Sequence, residues 1–288
     1  MGEQRRVVIT GARGMLGQAL MVTAPEGVEA IGATRAHGDL ASRDGVEAAV
    51  ARHRPDVVIH AAAWTDVNGC ERQPARAFRD NAVATRLVAE ACTKLGARLV
   101  LISTDYVFDG TKGAAYIEDD TVCPVNVYGE TKLAAERAAG AVADHLIIRT
   151  QWLFGPGRGN FVASILQAAK AREKLTVIAD QWGCPTYTRH LSPMVWRLAL
   201  GTWQGVVHAA AEGVATWWDV AAAAIAAAGL GTPIERVALE EWPAAARRPR
   251  FTVLNCGRLV EWLGAGLPSW REGVEEYVRQ FLTGRSAT

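Results

Sequence analysis

Two polar side chains at helical spacing are the first candidates for chemistry in this sequence. In the stretch PVNVYGETKLAAE, Tyr128 lies four residues before Lys132, where the pattern predicts the beginning of a helix. Residues four apart share a helix face, so the lysine charge would lie near the phenol and lower its pKa. Such a tyrosine can exchange a proton with a carbonyl oxygen. A chance pair on a solvated helix is the alternative, although five lysines against 26 arginines make that coincidence uncommon.

A pair of hydroxyl groups follows a strand-like run and would complete this chemistry. In LVLISTDYVFDG, Ser103 and Thr104 stand at the end of a predicted strand, with Asp105 directly after them. In open parallel sheets, ligands bind at the carboxyl ends of the strands. A hydroxyl in that place can hold a carbonyl oxygen while the tyrosine supplies a proton. Together these groups predict the reduction of a carbonyl, which also requires a hydride donor.

A glycine-rich segment between the first predicted strand and helix indicates a dinucleotide site. The segment TGARGMLGQAL carries its glycines in GxxGxxG spacing. Glycines at such positions permit a tight turn, a close approach to a diphosphate, and close packing of helix on strand. Amide groups at the helix N-terminus would then bind the phosphates, whereas the alternative is a plain strand-to-helix turn. The cofactor-binding residues predicted in this loop are Gly11, Arg13, Gly14, Met15, Leu16 and Gly17.

The end of the second predicted strand bears on the choice of cofactor. Sites that prefer NAD usually place an acidic residue there, on the ribose hydroxyls. This sequence reads GATRAHGDL, with Arg35 at that place. A guanidinium can pair with a 2′-phosphate, so we expect NADPH, with NADH possible. Asp39 and Leu40 follow shortly afterwards and are expected at the adenine pocket.

These candidate residues require a framework in which strands and helices alternate. Helices are predicted to begin near residue 15, to span about 43–52 and 74–95, and to include Lys132. The strand-like runs between them are almost continuously apolar, as in strands buried on both faces of a parallel sheet. The pattern predicts an α/β fold with a doubly wound parallel sheet and right-handed crossovers. The runs are VVIT (7–10), VEAIGAT (28–34), DVVIHAA (56–62), RLVLIS (98–103) and HLIIRT (145–150).

The alternation becomes less regular after about residue 150. LTVIAD (175–180) and GVVHAA (205–210) are candidates for two further strands, separated by segments rich in Gly, Pro and Trp. Loops of that composition are typical of a site shaped around a ligand. We expect residues 1–150 to form a dinucleotide-binding Rossmann domain. Residues 151–288 should form mainly a smaller substrate-binding lobe, with later segments returning to the first sheet.

Composition and charge exclude some classes of partner. Half of the 288 residues are apolar and the formal charge is +1, so neither nucleic acid nor a membrane is an expected partner. Five scattered cysteines without a CxxC pair, and no recognisable signal peptide, predict a reduced, cytoplasmic protein without a zinc site. A short basic cluster of Arg247, Arg248 and Arg250 is either a solvated loop or a phosphate contact.

The combined motifs resemble the dTDP-4-dehydrorhamnose reductases, a branch of the extended short-chain dehydrogenase/reductase superfamily. The glycine loop and the YxxxK spacing are shared across the superfamily, whereas STDYVFDG, NVYGxTK and DQxGxPT are more specific to this branch. The resemblance extends over residues 7 to about 190, with a weaker similarity at 249–260. The matching stretches are TGARGMLGQAL, DVVIHAAAWTDVNGCE with the later Asn81, STDYVFDG, PVNVYGETKLAAE, RTQWLFGPGRGNFV, DQWGCPTYT and RPRFTVLNCGRL.

The resemblance implies a reaction and a role for each matching residue. NADPH would reduce the C4 keto group of dTDP-4-dehydro-L-rhamnose, giving dTDP-L-rhamnose. Tyr128 would protonate the keto oxygen, Lys132 would bind the nicotinamide ribose and lower the pKa of Tyr128, and Thr104 would orient the keto group. Other cofactor contacts would come from Ala61, Ala62, Ala63 and Asn81. The substrate would be bound by Thr65, Asp66, Val67, Thr104, Asp105, Trp152, Asn160, Phe161, Gln181, Pro185 and Thr186.

Some positions depart from the family pattern. Asn68 stands where many relatives have Asp, directly after the residues expected to face the sugar, so the resemblance specifies the reaction type more firmly than the sugar. Some members bind magnesium between subunits through glutamates, but no recognisable carboxylate cluster occurs here, and we predict no metal. The resemblance is compatible with a monomer or a homodimer.

Three other functions stay open at this point. The first is reduction of another nucleotide-linked 4-keto-6-deoxysugar. The second is a sugar-nucleotide dehydratase or epimerase, although dehydratases usually carry Asp-Glu after the catalytic Thr and here Asp105 is followed by Tyr106. The third is a non-catalytic regulatory subunit, as in methionine adenosyltransferase, which would not require Thr104, Tyr128 and Lys132 together.

Overall fold

A six-stranded parallel sheet lies at the centre of the molecule. The computed structural model describes residues 4–157 and 159–283. Every strand of the central sheet is parallel to its neighbours, so all carboxyl ends lie along one edge. In spatial order the strands are β10 (Gly205–His208), β5 (His145–Thr150), β4 (Arg98–Thr104), β3 (Val57–His60), β1 (Arg5–Thr10) and β2 (Val28–Ala33).

Helices cover both faces of this sheet, as the apolar strand pattern predicted. Successive residues of a strand point to opposite faces. In β1, accordingly, Val7 and Ile9 join one hydrophobic core and Val8 joins the other. The first core is completed by α1 (Met15–Val22), α8 (Thr188–Leu200) and α10 (Gly257–Leu263). The second is completed by α2 (Arg43–Ala49), α5 (Ala84–Leu95) and α6 (Val127–Ala139).

The helix predicted over residues 74–95 has an irregular middle. It consists of α4 (Pro74–Ala77), a π-helical segment (Phe78–Val83) and α5. A π-helical turn is uncommon and frequently lies at a functional site. Here it contains Asn81, one of the predicted cofactor residues.

The second half of the chain forms small sheets and helices next to the central sheet. Of the two additional strands predicted there, β10 joins the central sheet beside β5, while β7 (Leu175–Ile178) pairs with β12 (Ile234–Val237). Two more pairs are formed by β6 (Leu153–Phe154) with β9 (Thr186–Tyr187) and β8 (Trp182–Gly183) with β11 (Ala215–Thr216). The remaining helices are α3 (Val67–Arg72), α7 (Phe161–Ala171), α9 (Trp217–Ala227) and α11 (Trp270–Thr283), with 3₁₀ turns at Ala51–His53, Asp105–Val107 and Leu239–Glu241.

Two further properties concern the described residues as a set. No helix within residues 4–157 and 159–283 is both long and apolar enough to cross a membrane. All five cysteines are free thiols.

Candidate active site

Helix α6 brings Tyr128 against Thr104 at the end of β4. The helix begins after Asn126, whose side-chain oxygen accepts a hydrogen bond from the Gly129 amide at 2.9 Å. Gly129 is needed because a Cβ there would collide with the Tyr106 carbonyl oxygen. The Tyr128 phenol hydrogen-bonds with Thr104, and its ring packs edge-on against Tyr106 with 5.8 Å between centroids. Two of the predicted catalytic groups are therefore in contact.

Burial dominates the protonation of Tyr128. Removal from water raises the pKa of Tyr128 well above its ordinary value, and the hydrogen bond with Thr104 opposes this rise only in part. The sequence predicted that Lys132 would lower this pKa. Burial is the larger effect in the structure, and the lysine ammonium hydrogen-bonds to the Ile102 carbonyl, so the effect of Lys132 on this pKa stays a prediction.

Lys132 contacts the backbone of β4 from inside the protein. Its Nζ donates a hydrogen bond to the Ile102 carbonyl oxygen at 2.8 Å. Burial lowers the pKa of Lys132 to about 8, while the nearby carboxylate of Glu136 acts in the opposite direction. The Lys132 ammonium is thus held one helical turn from Tyr128, two residues before Thr104 on the strand.

A buried ion pair lies on the face of α6 that carries Tyr128 and Lys132. Both carboxylate oxygens of Glu136 accept hydrogen bonds from the Arg149 guanidinium on β5, at 3.0 and 2.8 Å. Ser103 donates to the same carboxylate at 2.5 Å. The side chains of Glu136 and Arg149 are 6% and 5% exposed, so the pair is screened little by solvent. The hydroxyl of Ser103, the other one predicted at this strand end, is therefore used in a hydrogen bond within the protein.

Asp105 is enclosed by a second polar network directly after Thr104. One of its oxygens accepts from Thr104 at 3.0 Å, and the other accepts from Gln151 at 2.9 Å and Thr252 at 2.5 Å. Burial raises the pKa of Asp105 to about 6, with these hydrogen bonds opposing the rise. The residue is only 2% exposed, and its direct contact with substrate stays a prediction. Its carboxylate holds Thr104.

The glycine turn after β1 has the features of a diphosphate site. Gly11 has φ +71°, and a Cβ there would lie 2.8 Å from the Ala62 amide nitrogen. A Cβ on Gly17 would collide with the Gly11 carbonyl, whereas one on Gly14 would be 3.1 Å from it. The first turn of α1 has neither a side-chain cap nor an acidic residue, which leaves its amides for an anion. These residues fit a dinucleotide. Arg13, Met15 and Leu16 lie within the same turn.

The other predicted cofactor residues surround this turn. Arg35 has a largely exposed side chain and pairs with Asp80 at 3.3 Å. Asp39 pairs with Arg79, and its pKa is lowered mainly by a hydrogen bond from the Ala41 amide. Leu40 packs against the second core.

The loop after β3 is fixed by a single amide side chain. Asn81 accepts from the Trp64 amide at 2.7 Å, and donates to the Trp64 carbonyl at 3.1 Å and to Thr131 on α6 at 3.0 Å. It is 1% exposed. Asn81 therefore ties this loop to the helix carrying Tyr128 and Lys132, and its contact with the cofactor stays a prediction. The loop places Ala61 and Ala62 next to the glycine turn, and Ala63 follows them.

Residues expected to face the sugar follow on the same loop. Thr65 and Asp66 are exposed, and Asp66 caps α3 by accepting from the Gly69 amide at 2.9 Å. Val67 packs in the cluster that contains Tyr128. Asn68, the departure from the family pattern, accepts from the Ala246 amide at 3.2 Å and so binds a distant segment of the chain.

Trp152 lies in a stack of aromatic rings. Its ring lies parallel to that of Trp217 with 3.7 Å between centroids, and Trp217 contacts Phe161 at 4.5 Å. The backbone of Trp152 has φ +47°, an unfavourable conformation for a bulky residue. A Cβ on Gly183 would lie 2.7 Å from the Trp152 ring. The ring is therefore packed closely against both Trp217 and Gly183.

Several predicted substrate residues support loops from the interior. Gln181 and Thr186 have no exposed surface; Gln181 accepts from the Trp217 indole at 2.9 Å, and Thr186 donates to the Cys184 carbonyl at 2.8 Å. Pro185 is buried as well. Asn160 is 8% exposed and caps α7 by accepting from the Ala163 amide at 3.0 Å. Gln181, Pro185 and Thr186 therefore lie inside the loops, and their direct contact with substrate stays a prediction.

Comparison with known proteins identifies the family. A family model described as "RmlD substrate binding domain" matches residues 5–283. A dTDP-4-dehydrorhamnose reductase of Sinorhizobium fredii is 34% identical over 289 residues, covering 96% of this chain and 98% of that protein. The chain belongs to the dTDP-4-dehydrorhamnose reductase family.

Other members and a solved structure agree with this assignment. A dTDP-4-keto-6-deoxy-D-glucose reductase of Streptomyces niveus is 36% identical, covering 96% of this chain and 94% of that protein. A crystal structure of dTDP-4-dehydrorhamnose reductase from Bacillus anthracis in complex with NADP has a TM-score of 0.93 at 34% identity, covering 96% of this chain and 99% of that chain. The resemblance inferred from the motifs, the Rossmann fold and the oxidoreductase class are confirmed.

Sequence reasoning missed several residues that this reductase uses to build its site. Glu136 and Arg149 form the buried pair, and Gln151 and Thr252 hold Asp105. Gln151 also accepts from the Cys184 amide at 2.8 Å. Only Glu136 had a local signal, since it lies four residues after Lys132. Within the described part of the chain, no group of three His, Cys, Asp or Glu side chains is placed to hold a metal ion.

Proposed function

We propose that this chain reduces the C4 keto group of dTDP-4-dehydro-L-rhamnose with NADPH, forming dTDP-L-rhamnose. The observation that carries this proposal is the contact of Tyr128 with Thr104 at the end of β4, one helical turn from Lys132. The family match over residues 5–283 gives this constellation its context. We place the reaction in the cytoplasm, with a small-molecule nucleotide sugar as the partner and a monomer or homodimer as the working form.

The side chains of this site suit proton transfer to a developing alkoxide. NADPH, when bound, supplies the hydride that the carbonyl carbon receives. A raised pKa keeps the Tyr128 phenol protonated at neutral pH, which is the form that donates. Thr104, held by Asp105, orients the keto oxygen toward the phenol. Lys132 supplies a positive charge near the growing negative charge and binds the nicotinamide ribose.

The proposed preference for NADPH depends on Arg35. This guanidinium is 76% exposed at the carboxyl end of β2, beside the glycine turn. It can move from Asp80 onto a 2′-phosphate, since an exposed ion pair is worth little. Arg35→Ser should therefore weaken NADPH binding more than NADH binding.

A second substrate is favoured by one comparison. The Streptomyces niveus relative, at 36% identity, is named for a keto-deoxyglucose derivative. Asn68 and Trp152 belong to the segments that would face the sugar. They are the positions that would determine which of the two sugars is accepted.

The deciding experiment is an assay of NADPH oxidation with purified dTDP-4-keto-6-deoxysugars that differ in stereochemistry. We expect the highest kcat/KM with dTDP-4-dehydro-L-rhamnose, and lower values with NADH in place of NADPH. Turnover of dTDP-4-keto-6-deoxy-D-glucose alone would favour the second substrate. No turnover of the rhamnose precursor would overturn our first choice.

A further inference from the structure

His60 lies at the carboxyl end of β3, between the glycine turn and the π-helical segment. It is 1% exposed and stands in the sheet beside Thr10, the last residue of β1 before Gly11. Both nitrogens of its ring are hydrogen-bonded, Nδ1 with the Thr10 hydroxyl at 2.7 Å and Nε2 with the Thr85 hydroxyl on α5 at 3.1 Å. The proposed reaction gives this ring no proton to transfer, so its contacts determine what it does.

The hydrogen bonds around His60 have one direction that satisfies every group. Thr85 donates its single hydroxyl proton to the Asn81 carbonyl at 2.6 Å, so its oxygen can only accept from the imidazole. Nε2 therefore carries the ring proton, and Nδ1 accepts from the Thr10 hydroxyl. The Thr10 oxygen in turn accepts from the Ala62 amide at 3.3 Å. The ring is thus held as one defined tautomer between two hydroxyl groups.

The surroundings of His60 keep this ring neutral. Removal from water, together with the positive charge of Lys132, lowers the pKa of His60 to about 3. A neutral imidazole donates at one nitrogen and accepts at the other, whereas a protonated ring has two donors. Only the neutral form can therefore connect Thr10 and Thr85 in the direction described.

The line of hydrogen bonds continues from Thr85 to α6. Asn81, whose carbonyl accepts from Thr85, donates through its side-chain amide to Thr131 at 3.0 Å. Thr131 donates to the Tyr128 carbonyl at 2.7 Å. Water does not compete for these bonds, because at most 1% of the surface is exposed in each of Thr10, His60, Asn81, Thr85 and Thr131.

We propose that His60 is a positioning residue that fixes the glycine turn and the helix of Tyr128 and Lys132 relative to each other. Its bond with Thr10 sets the turn at the dinucleotide, and its bond with Thr85 sets the π-helical segment and, through it, α6. Reduction requires a hydride and a proton to reach one carbonyl group, and a small misplacement of the reacting groups slows such a step strongly. The turnover measurements below rest on the proposed function, whereas the NADPH-binding and NMR measurements do not.

Two substitutions of His60 separate its two bonds. In His60→Asn the amide oxygen lies near the place of Nδ1 and can accept from Thr10, but the side chain is too short to reach Thr85. In His60→Gln the amide nitrogen can donate to Thr85, but no acceptor remains near Thr10. We expect His60→Gln to weaken NADPH binding by about 3- to 10-fold, the effect of one neutral hydrogen bond, with little change in kcat. His60→Asn should lower kcat by a similar factor and keep the NADPH affinity.

Removal of the hydroxyl partners should reproduce this separation. Thr10→Val should weaken NADPH binding as the Gln variant of His60 does, and Thr85→Val should lower kcat as the Asn variant does. Thr93→Val is the matched control, because Thr93 lies on the same helix as Thr85 and likewise donates to a carbonyl four residues earlier, that of Ala89 at 3.1 Å. It should keep the wild-type kcat and NADPH affinity. The thermal unfolding midpoint of each variant distinguishes loss of stability from loss of position.

Histidine nitrogen NMR of isotope-labelled wild-type protein gives a readout that does not depend on turnover. His60 should show a protonated Nε2 and an unprotonated Nδ1, unchanged from about pH 5 to 8. A ring protonated at Nδ1 or at both nitrogens would overturn the inference. Parallel losses of kcat and NADPH affinity in both His60 variants, in proportion to their lower unfolding midpoints, would overturn it as well. No turnover of the rhamnose precursor, with the His60 spectrum and the NADPH affinities as expected, would affect only the proposed function.

Discussion

At the scale of single residues, two acidic groups in the site have pKa values moved upward by burial. Tyr128 remains a phenol at neutral pH, and the pKa of Asp105 is raised to about 6. The two are linked through Thr104, which hydrogen-bonds with both. The protein thus keeps the Tyr128 phenol protonated and holds the Thr104 hydroxyl against the enclosed carboxyl of Asp105.

Replacing Tyr128 with Phe removes the proposed proton donor and keeps the ring packing. We expect kcat to fall by about 10²- to 10⁴-fold, the usual contribution of a positioned acid. The affinity for NADPH should change little, as measured by fluorescence titration. Tyr187→Phe, which alters a buried tyrosine bonded to Gln280, is the control. Turnover by Tyr128→Phe at the wild-type rate would remove the phenol from the mechanism.

Asp105 makes the stability of the fold depend on pH. Its folded pKa of about 6 lies above the ordinary value of 3.8, so ionisation favours the unfolded chain. The stabilisation of the folded protein by the protonated Asp105 carboxyl is therefore fully present below pH 4 and is lost as pH rises through 6. A pKa raised by about two corresponds to about 3 kcal/mol. In urea unfolding, the free energy of unfolding of Asp105→Asn, relative to that of wild type, should therefore rise by about 3 kcal/mol from pH 4 to pH 7.

Asp109→Asn provides a control of opposite sign. The pKa of Asp109 is lowered, chiefly by the Thr111 amide. The free energy of unfolding of wild type should therefore rise relative to that of Asp109→Asn as pH rises. A parallel pH dependence in Asp105→Asn and Asp109→Asn would contradict the assignment.

At the scale of elements, α6 and β4 meet through three successive turns of the helix. Tyr128 contacts Thr104, Lys132 contacts Ile102, and Glu136 contacts Ser103. The register of helix on strand, and with it the position of the phenol, is fixed by all three contacts. The ion pair of Glu136 with Arg149 also fixes the third of these turns to the neighbouring strand β5.

Glu136→Gln should destabilise the protein by about 3–5 kcal/mol, because it leaves the Arg149 guanidinium buried without an opposite charge. In urea unfolding, the double variant Glu136→Gln/Arg149→Met should lose less than the sum of the two single variants. Glu235→Gln, in the exposed pair with Lys174, is the control and should cost at most about 1 kcal/mol. Additive losses at the buried pair would show that the two residues act independently.

At the scale of the whole molecule, the first half does not have a complete core of its own. Leu191, Val195 and Val207 from the second half are fully buried against the face of the sheet that carries Val7 and Ile9. Asp105 likewise requires Thr252 from the second half. The two halves therefore share one core and one active site.

A fragment of residues 1–150 should accordingly fail to fold cooperatively. It lacks β10, α8 and α10, so one face of the sheet would be exposed to water. We expect a broad thermal transition and strong binding of a hydrophobic dye, whereas the full chain should unfold in one transition. A fragment with a sharp transition and NADPH affinity would show that the first half is autonomous.

Local patterns in the sequence were enough to predict the sheet and the placement of Tyr128 and Lys132 near the end of β4. The strands are apolar runs, and Tyr128 and Lys132 are four residues apart, so both signals lie within one element. The partner of Lys132 was not predictable, because a backbone carbonyl leaves no trace in residue types. Nor was the burial of Gln181 and Thr186, since it depends on how separate loops close over them. Thr252 is 147 residues from Asp105, a distance over which no spacing rule applies.

The hydrogen bond between Thr252 and Asp105 also bears on when the enzyme becomes functional during synthesis. A ribosome makes the chain from the N-terminus, so the glycine turn, Thr104 and Tyr128 emerge long before Thr252. Contacts between distant residues form slowly, because a long loop must close first. A nascent chain can therefore gain its dinucleotide turn early, yet it cannot enclose Asp105 until most of the protein has left the ribosome. Premature termination before residue 252 would yield a chain that has Thr104, Asp105 and Tyr128 but lacks the Thr252 hydroxyl that bonds to the second oxygen of Asp105.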